Sequence, residues 1–215
     1  ICNVIELFDL RPRYAGFMNG QIRSAFPEMP PMVGFASTAS FRSGAFPGSG
    51  DAYGTMETQV EGFAALPGPA IVVFQDLDDP AVGATFGEVM CSTYKAFGSS
   101  GLITSGGGRD LLQVKAIDYP VFTGSTICSH ACCHILHIGL PVRVGGLVVN
   151  PGDLLHGDAN GVTNIPPAIA AAVATLRDPT RPSWGMKATS STASSMPKSP
   201  QPALLTSTLM PLPPQ

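Results

Sequence analysis

Between Ile71 and Pro166, short apolar runs of strand length alternate with stretches of helical spacing, and that alternation restricts the fold more than any other feature. "AIVVF" reads as a buried strand and "QDLDDPAVGA" as a loop. "FGEVMCSTYKAF" carries apolar residues at helical spacing and ends at Gly98. "GLITS" is a second strand, "GGG" a turn, "RDLLQVKAI" a second helix, and "YPVFTG" opens a third strand. Strands alternating with short helices predict an α/β arrangement. The pattern then changes: in "LPVRVGGLVVNPGDLLHGDANGVTNIP", short apolar runs are separated by Pro-Gly-Asp and Gly-Asp-Ala-Asn-Gly, the punctuation of β-turns. This half reads as β-hairpins, and "PAIAAAVATLR" as a closing helix that stops near Arg177. The chain divides into residues 1–177, one α/β domain, and residues 178–215. The second part is rich in Ser, Thr and Pro and has no period. Such a composition buries too little apolar surface to offset its chain entropy, so a disordered tail is expected there.

A chain of 215 residues suits one domain with a tail. Hydrophobic residues make up 44%, enough for a sizeable core, against only 13% charged. With a net charge of −3 and no basic run, the chain does not read as a nucleic-acid binder. No apolar stretch reaches the roughly 18–20 residues of a membrane span. The sequence opens on Ile1 with no charged segment leading into an apolar run, so no signal peptide is expected. Five cysteines in no regular framework suggest reduced thiols and a cytoplasmic location.

Three short stretches carry candidate chemistry. The first, "TICSHACCHILHIG", holds Cys128, His130, Cys132, Cys133, His134 and His137 within ten residues. A structural zinc site usually closes a loop between two separated ligand pairs. Cys2, Cys91 and His156 form no second pair of that kind. On a helix, His130, His134 and His137 would share one face. Three readings stay open: a packed segment with partly exposed histidines, His130 facing an active site, or a metal cluster. The Ser129–His130 pair has no acid nearby and signals a catalytic triad only weakly.

The second stretch is "SGGGRD", residues 105–110. A glycine turn lets a ligand approach the backbone. Arg109 can hold a carboxylate through two parallel hydrogen bonds, and Asp110 can bind a hard divalent cation. The structural alternative is a glycine turn with Asp110 capping the helix. The third is "FGEVM", residues 86–90, where a helix N-terminus offers unpaired N–H groups and a partial positive charge suited to a carboxylate. Its alternative is an ordinary helix start with Glu88 complementing the dipole. Twenty residues, 89 to 108, separate Glu88 from Arg109. One helix and one strand return the chain to the same sheet edge, so both helix starts can face one pocket.

These residues, with the Pro-Gly-Asp and Gly-Asp-x-x-Gly-Val of the hairpin half, resemble the RraA-like family, which includes class II 4-hydroxy-4-methyl-2-oxoglutarate/4-carboxy-4-hydroxy-2-oxoadipate aldolases. The resemblance runs from about Ile5 to Ala174, with "NVIELFDLRPRYAGF" as the family's opening helix and "PPMVGFASTASF" as its first strand. It implies a swivelling β/β/α domain, assembly as a homotrimer or homohexamer, and a pocket between subunits. By position, Gly87, Glu88, Val89 and Met90 would cradle the substrate, Arg109 would bind its carboxylate and carbonyl region, and Asp110 would hold Mg²⁺ or Mn²⁺. The implied activity is retro-aldol cleavage of a 4-hydroxy-2-oxo acid to pyruvate, or decarboxylation of oxaloacetate. The aldolases carry an Asp-x20-Arg-Asp motif, and here Glu88 takes the first acidic position. RraA proteins proper inhibit RNase E by binding it and lack that acid, so a non-catalytic ring that regulates a protein partner is the alternative. No methyl-donor site and no Gly-x-Gly nucleotide turn is present.

Overall fold

A computed structural model of the chain describes residues 1–44 and 54–176. The expected tail lies outside the described residues. In chain order the first elements are α1 (Cys2–Glu6), β1 (Arg23–Ser24), β2 (Met32–Arg42), α2 (Gly54–Glu61), β3 (Ala70–Asp76) and β4 (Ala84–Phe86). Then follow α3 (Glu88–Ala96), β5 (Ser99–Thr104), β6 (Gly107–Gly108), α4 (Leu111–Ala116), β7 (Val121–Thr123) and β8 (Ser125–Thr126). The remainder is β9 (His134–Ile138), β10 (Val142–Val144), β11 (Leu147–Val149), β12 (Leu154–Asp158), β13 (Gly161–Asn164) and α5 (Ala170–Leu176).

The main sheet runs β1-β7-β5-β3-β2-β12-β13, with β9 also paired to β2. Strands β2, β3, β5 and β7 are parallel, each joined to the next through one of the helices α2, α3 and α4. Strands β12 and β9 add antiparallel to β2. The α/β expectation therefore holds, and so do the two hairpins, β10–β11 and β12–β13.

The period-2 alternation of a strand explains how the middle of the sheet is packed. Ile71 and Val73 of β3 point to one face, where they meet Val142, Val144 and Leu147 of the β10–β11 hairpin and Leu155. Val72 and Phe74 point to the other, against Phe86 of β4 and Cys91, Tyr94 and Val114 of the helical layer. Leu102 and Ile103 of β5 divide in the same way, as do Val121 and Phe122 of β7. Because β3 is covered on both sides, its sequence is a continuous apolar run rather than an alternating one. Each such side chain contributes about 1.5–3 kcal/mol on burial.

Two segments take a form that local pattern does not show. His134–Ile138 is β9, a strand paired antiparallel to β2, and not the helix on which the histidines would share a face. Ser40 faces His137 and Phe41 faces Ile135, so Leu136 is the extra residue of a bulge. The bulge leaves Leu136 and His137 both exposed, which hides the period of a strand in the sequence. The glycine run is also not simply a turn, because Gly107 and Gly108 form β6, flanked by β4 and β8 in a second, three-stranded parallel sheet. Each of these short strands follows β3, β5 or β7 in the chain, so the small sheet continues from their C-terminal ends.

Candidate functional site

The small sheet sets the geometry of the candidate site. Phe86 is in register with Gly108, and the Arg109 N–H donates to the Phe86 carbonyl at 3.1 Å. The residues immediately after these partners are Gly87–Glu88, which open α3, and Arg109–Asp110, which open α4. One ladder thus brings together two helix starts that lie twenty residues apart, 89 to 108, in the sequence.

Asp110 holds this junction. Its backbone is left-handed, with φ of 55°, a conformation that Asp and Asn adopt more readily than other side chains. It occupies the N-cap position of α4 but makes no side-chain cap to that helix. Its Oδ2 instead accepts the Glu88 N–H at 3.2 Å, at the start of α3, and lies 3.6 Å from Arg109 Nε. The capping alternative is therefore correct in kind but concerns the neighbouring helix. Gly87 is required for this contact, since a Cβ there would stand 2.6 Å from Asp110 Oδ2. A Cβ on Gly108 would stand 2.2 Å from the Phe86 ring, and one on Gly107 2.8 Å from Ile127. These two glycines accommodate protein rather than a ligand, which corrects the reading of the run as an open turn.

An open cleft of about 390 Å³ lies over the junction. Of the sequence-predicted residues, Gly87, Val89, Met90, Arg109 and Asp110 line it. Glu88 is placed differently: its backbone N–H is bound by Asp110, while its carboxylate accepts the Ser92 hydroxyl at 2.6 Å, one turn down its own helix. The first intrahelical bond of α3 runs from the Cys91 N–H to the Gly87 carbonyl. The amides of Val89 and Met90 thus precede any intrahelical acceptor and sit at the positive end of the helix. Arg109 and Asp110 are about a third exposed, with side-chain values of 36% and 38%, so a ligand can reach both.

The loop before β9 supplies the remaining wall, with His130 and Cys133 lining the cleft. Burial pushes the Cys133 thiol up, and the nearby Arg109 charge opposes that shift. Cys128 is exposed, and all five cysteines are free thiols. Among the described residues, no three His, Cys, Asp or Glu side chains are grouped to hold a metal ion.

One buried acid escaped the sequence reading. Asp76, at the end of β3, is 7% exposed. Its Oδ1 accepts the Asp78 N–H at 3.0 Å, and its Oδ2 has no hydrogen-bond partner among the described residues. Burial pushes its carboxyl up to about 6, opposed by the Asp78 N–H and reinforced by the Asp78 charge. Nothing in "FQDLDD" distinguishes this acid from its exposed neighbours.

The fold and the cleft define an α/β protein that carries paired arginine and carboxylate groups beyond the C-terminal ends of its parallel strands. The pattern of the RraA-like family (Aldolase/RraA) matches residues 1–163, and the chain belongs to that family. A protein of Halalkalibacterium halodurans, provisionally named a 4-hydroxy-4-methyl-2-oxoglutarate aldolase, is 35% identical over 119 residues, 55% of this chain and 54% of its own length. The chain spans about half or less of the length of the curated relatives it matches, 54%, 40% and 14%. Among solved structures, one described with novel cellulases from microbes of the gut ecosystem superposes with a TM-score of 0.66 and 25% identity, covering 80% of this chain and 73% of that one. RraAS2 of Streptomyces coelicolor, described as an unusual member of the RNase ES inhibitor RraA protein family, superposes with a TM-score of 0.63 and 20% identity, covering 81% and 83%. The family thus includes both named aldolases and RNase inhibitors. Among the described residues, no helix is long and apolar enough to cross a membrane.

Proposed function

We propose that the chain is a divalent-metal-dependent lyase that cleaves 4-hydroxy-2-oxo acids to pyruvate and decarboxylates oxaloacetate. One observation carries this reading: the Phe86–Gly108 register, which sets the N-terminus of α3 against Arg109 and Asp110 on one cleft. Both reactions leave an electron pair on the carbon beside the pyruvate carbonyl, so the site must stabilise an enolate. Arg109 faces that developing charge and grips the substrate carboxylate from two points. The first-turn amides of α3 bind the same anionic end.

The donor set suits Mg²⁺ or Mn²⁺. Asp110 commits Oδ2 to the Glu88 N–H and leaves Oδ1 for the cleft. A hard cation of this kind is commonly held by one or two carboxylates, with substrate oxygens and water filling its other positions. A soft, all-protein site would need a ligand cluster, and the described residues contain none. The cation would supply Lewis-acid polarisation of the 2-oxo group. Glu88 would have to leave Ser92 to join Asp110. In this reading the active species is a homotrimer or homohexamer in a reducing, cytoplasmic compartment, in keeping with five free thiols.

The test is pyruvate release from 4-hydroxy-4-methyl-2-oxoglutarate and from oxaloacetate, with Mg²⁺ and with EDTA. Turnover that requires the cation supports the lyase; no turnover on either substrate refutes it. The alternative is a non-catalytic ring that binds and regulates a protein partner such as an RNase. It draws on the exposed apolar rim, where Val89 is 69% and Leu112 82% exposed. Inhibition of an RNase by a protein inactive on both substrates, and loss of that inhibition in Leu112→Glu, would favour it.

A further inference from the structure

Retro-aldol cleavage needs a group to take the C4 hydroxyl proton, and the turn that presents His130 to the cleft has the features of such a base. Ala131, the next residue, has a φ of 46°, a left-handed conformation that a side chain other than Gly, Asn or Asp adopts only where its surroundings impose it. The surroundings are present. The Ala84 N–H of β4 donates to the Ser129 carbonyl at 2.7 Å, the Cys132 N–H to the Ser43 carbonyl at 3.0 Å, and the Cys133 N–H to the His130 carbonyl at 3.1 Å. The Ala131 N–H donates to Ser129 Oγ at 3.1 Å. The turn also lies directly on Gly83, where a Cβ would stand 2.8 Å from Ala131 Cβ and 3.0 Å from the His130 carbonyl. His130 is thus exposed but carried on a fixed turn, tied to the same β4 strand that positions Gly87.

The ring is also oriented. His130 Nδ1 lies 2.8 Å from the Ala131 carbonyl. A carbonyl can only accept, so Nδ1 carries the hydrogen, and in the neutral ring Nε2 carries the lone pair. The titratable groups that share the cleft are Arg109, Asp110 and Cys133. Arg109 is a cation engaged with Asp110, Asp110 has one oxygen on the Glu88 N–H and, in the lyase reading, gives the other to the cation, and burial disfavours the Cys133 thiolate. Nε2 is the lone pair left for a substrate proton.

We infer that His130 is the general base of the retro-aldol reaction, an inference that rests on the lyase reading above. Nε2 takes the proton from the C4 hydroxyl, the C4–O bond becomes a carbonyl, and the C3–C4 bond breaks. Its electron pair passes to C3 and into the C2 carbonyl as the pyruvate enolate beside Arg109. The proton on Nε2 then returns to C3 as the methyl group forms, so no proton is gained or lost. Oxaloacetate decarboxylation breaks a carbon–carboxylate bond and has no hydroxyl proton to remove.

That difference provides the test. In the full chain with Mg²⁺, His130→Gln removes the basic nitrogen and keeps a polar side chain. It should lower kcat for 4-hydroxy-4-methyl-2-oxoglutarate by about 100-fold or more, with KM changed by no more than about threefold. Decarboxylation of oxaloacetate, which shares only the later protonation of the enolate, should fall at least about tenfold less than the retro-aldol rate, and an unchanged thermal unfolding midpoint shows that the variant folds. Independently of turnover, long-range proton–nitrogen NMR correlations of ¹⁵N-histidine-labelled protein should show His130 protonated on Nδ1 in its neutral form. An active parent whose two reactions fall together in His130→Gln, or a retro-aldol rate that is unchanged, would overturn the assignment alone. An Nε2–H tautomer would do the same. A parent inactive on both substrates would remove the lyase reading and the base with it.

Discussion

Replacing Asp76 with asparagine should stabilise this fold above neutral pH and lose that advantage in acid. Asp76 is buried, with one carboxyl oxygen on the Asp78 N–H and the other without a hydrogen-bond partner among the described residues. Burial raises it from 3.8 to about 6. A carboxyl raised on folding binds its proton more tightly in the native state. Its contribution is therefore fully present below about pH 4, declines as pH rises through about 6, and is absent above that. The interval from 3.8 to about 6 corresponds to about 3 kcal/mol, the ceiling on what removing the charge can recover at pH 8. Asparagine recovers less. Its oxygen keeps the Asp78 N–H, but its amide hydrogens need acceptors at a position where Asp76 Oδ2 has no partner among the described residues. Allowing about half for that mismatch leaves a gain of about 1–2 kcal/mol. For a domain of this size that amounts to about 3–6 °C in Tm. Thermal unfolding of parent and variant at pH 4, 5, 6, 7 and 8 provides the assay, read as the difference at each pH. A gain that grows between pH 4 and pH 7 is expected. A variant less stable than the parent at pH 8, or a difference that does not change with pH, would refute the account of Asp76 as a buried and poorly paired carboxyl.

Other perturbations separate site from scaffold. Asp110→Asn keeps an acceptor for the Glu88 N–H and a side chain that tolerates φ near 55°, so stability should change by about 1 kcal/mol or less. Mg²⁺ affinity, measured by calorimetry, should fall at least tenfold under the lyase reading. Arg109→Lys keeps the charge but loses the two-point grip, and should raise KM and lower turnover while Mg²⁺ binding holds. Gly87→Ala places a methyl 2.6 Å from Asp110 Oδ2 and must displace that carboxylate. Activity should fall at least tenfold, with a stability loss of about 1–2 kcal/mol in urea unfolding. Tyr94→Phe leaves Gln59 Oε1, now reached by the Tyr94 hydroxyl at 2.7 Å, without its donor in a fully buried position. A loss of about 1–3 kcal/mol is expected, with no change in turnover.

Much of the fold was legible because local rules and tertiary environment agree. The apolar run of "AIVVF" belongs to a strand covered on both faces, and the glycine and aspartate punctuation of the last third marks two real hairpins. The starts of α3 and α4 also meet, because a helix and a parallel strand return the chain to the same edge of the sheet, although the Glu88 carboxylate itself turns to Ser92. What was not legible has a different cause. The i, i+4, i+7 histidines would share a face only on a helix, and the edge of β2 instead recruits that segment as a bulged strand, so long-range pairing overrides local spacing. The glycine run looked like room for a ligand, whereas the Phe86 ring and Ile127 take that room. For Asp110 the structural alternative is a cap on its own helix. Its left-handed backbone turns the carboxylate to the neighbouring helix instead, and the cross-strand register decides which amide it meets. The same holds for Asp76 and His130: a carboxyl becomes difficult to ionise, and an imidazole comes to line a cleft, only through groups far away in the sequence or through a backbone conformation imposed by them. Residue type and spacing determine which chemistry a chain can offer, while burial, register and backbone handedness are properties of the assembled sheet and decide which of those groups meet.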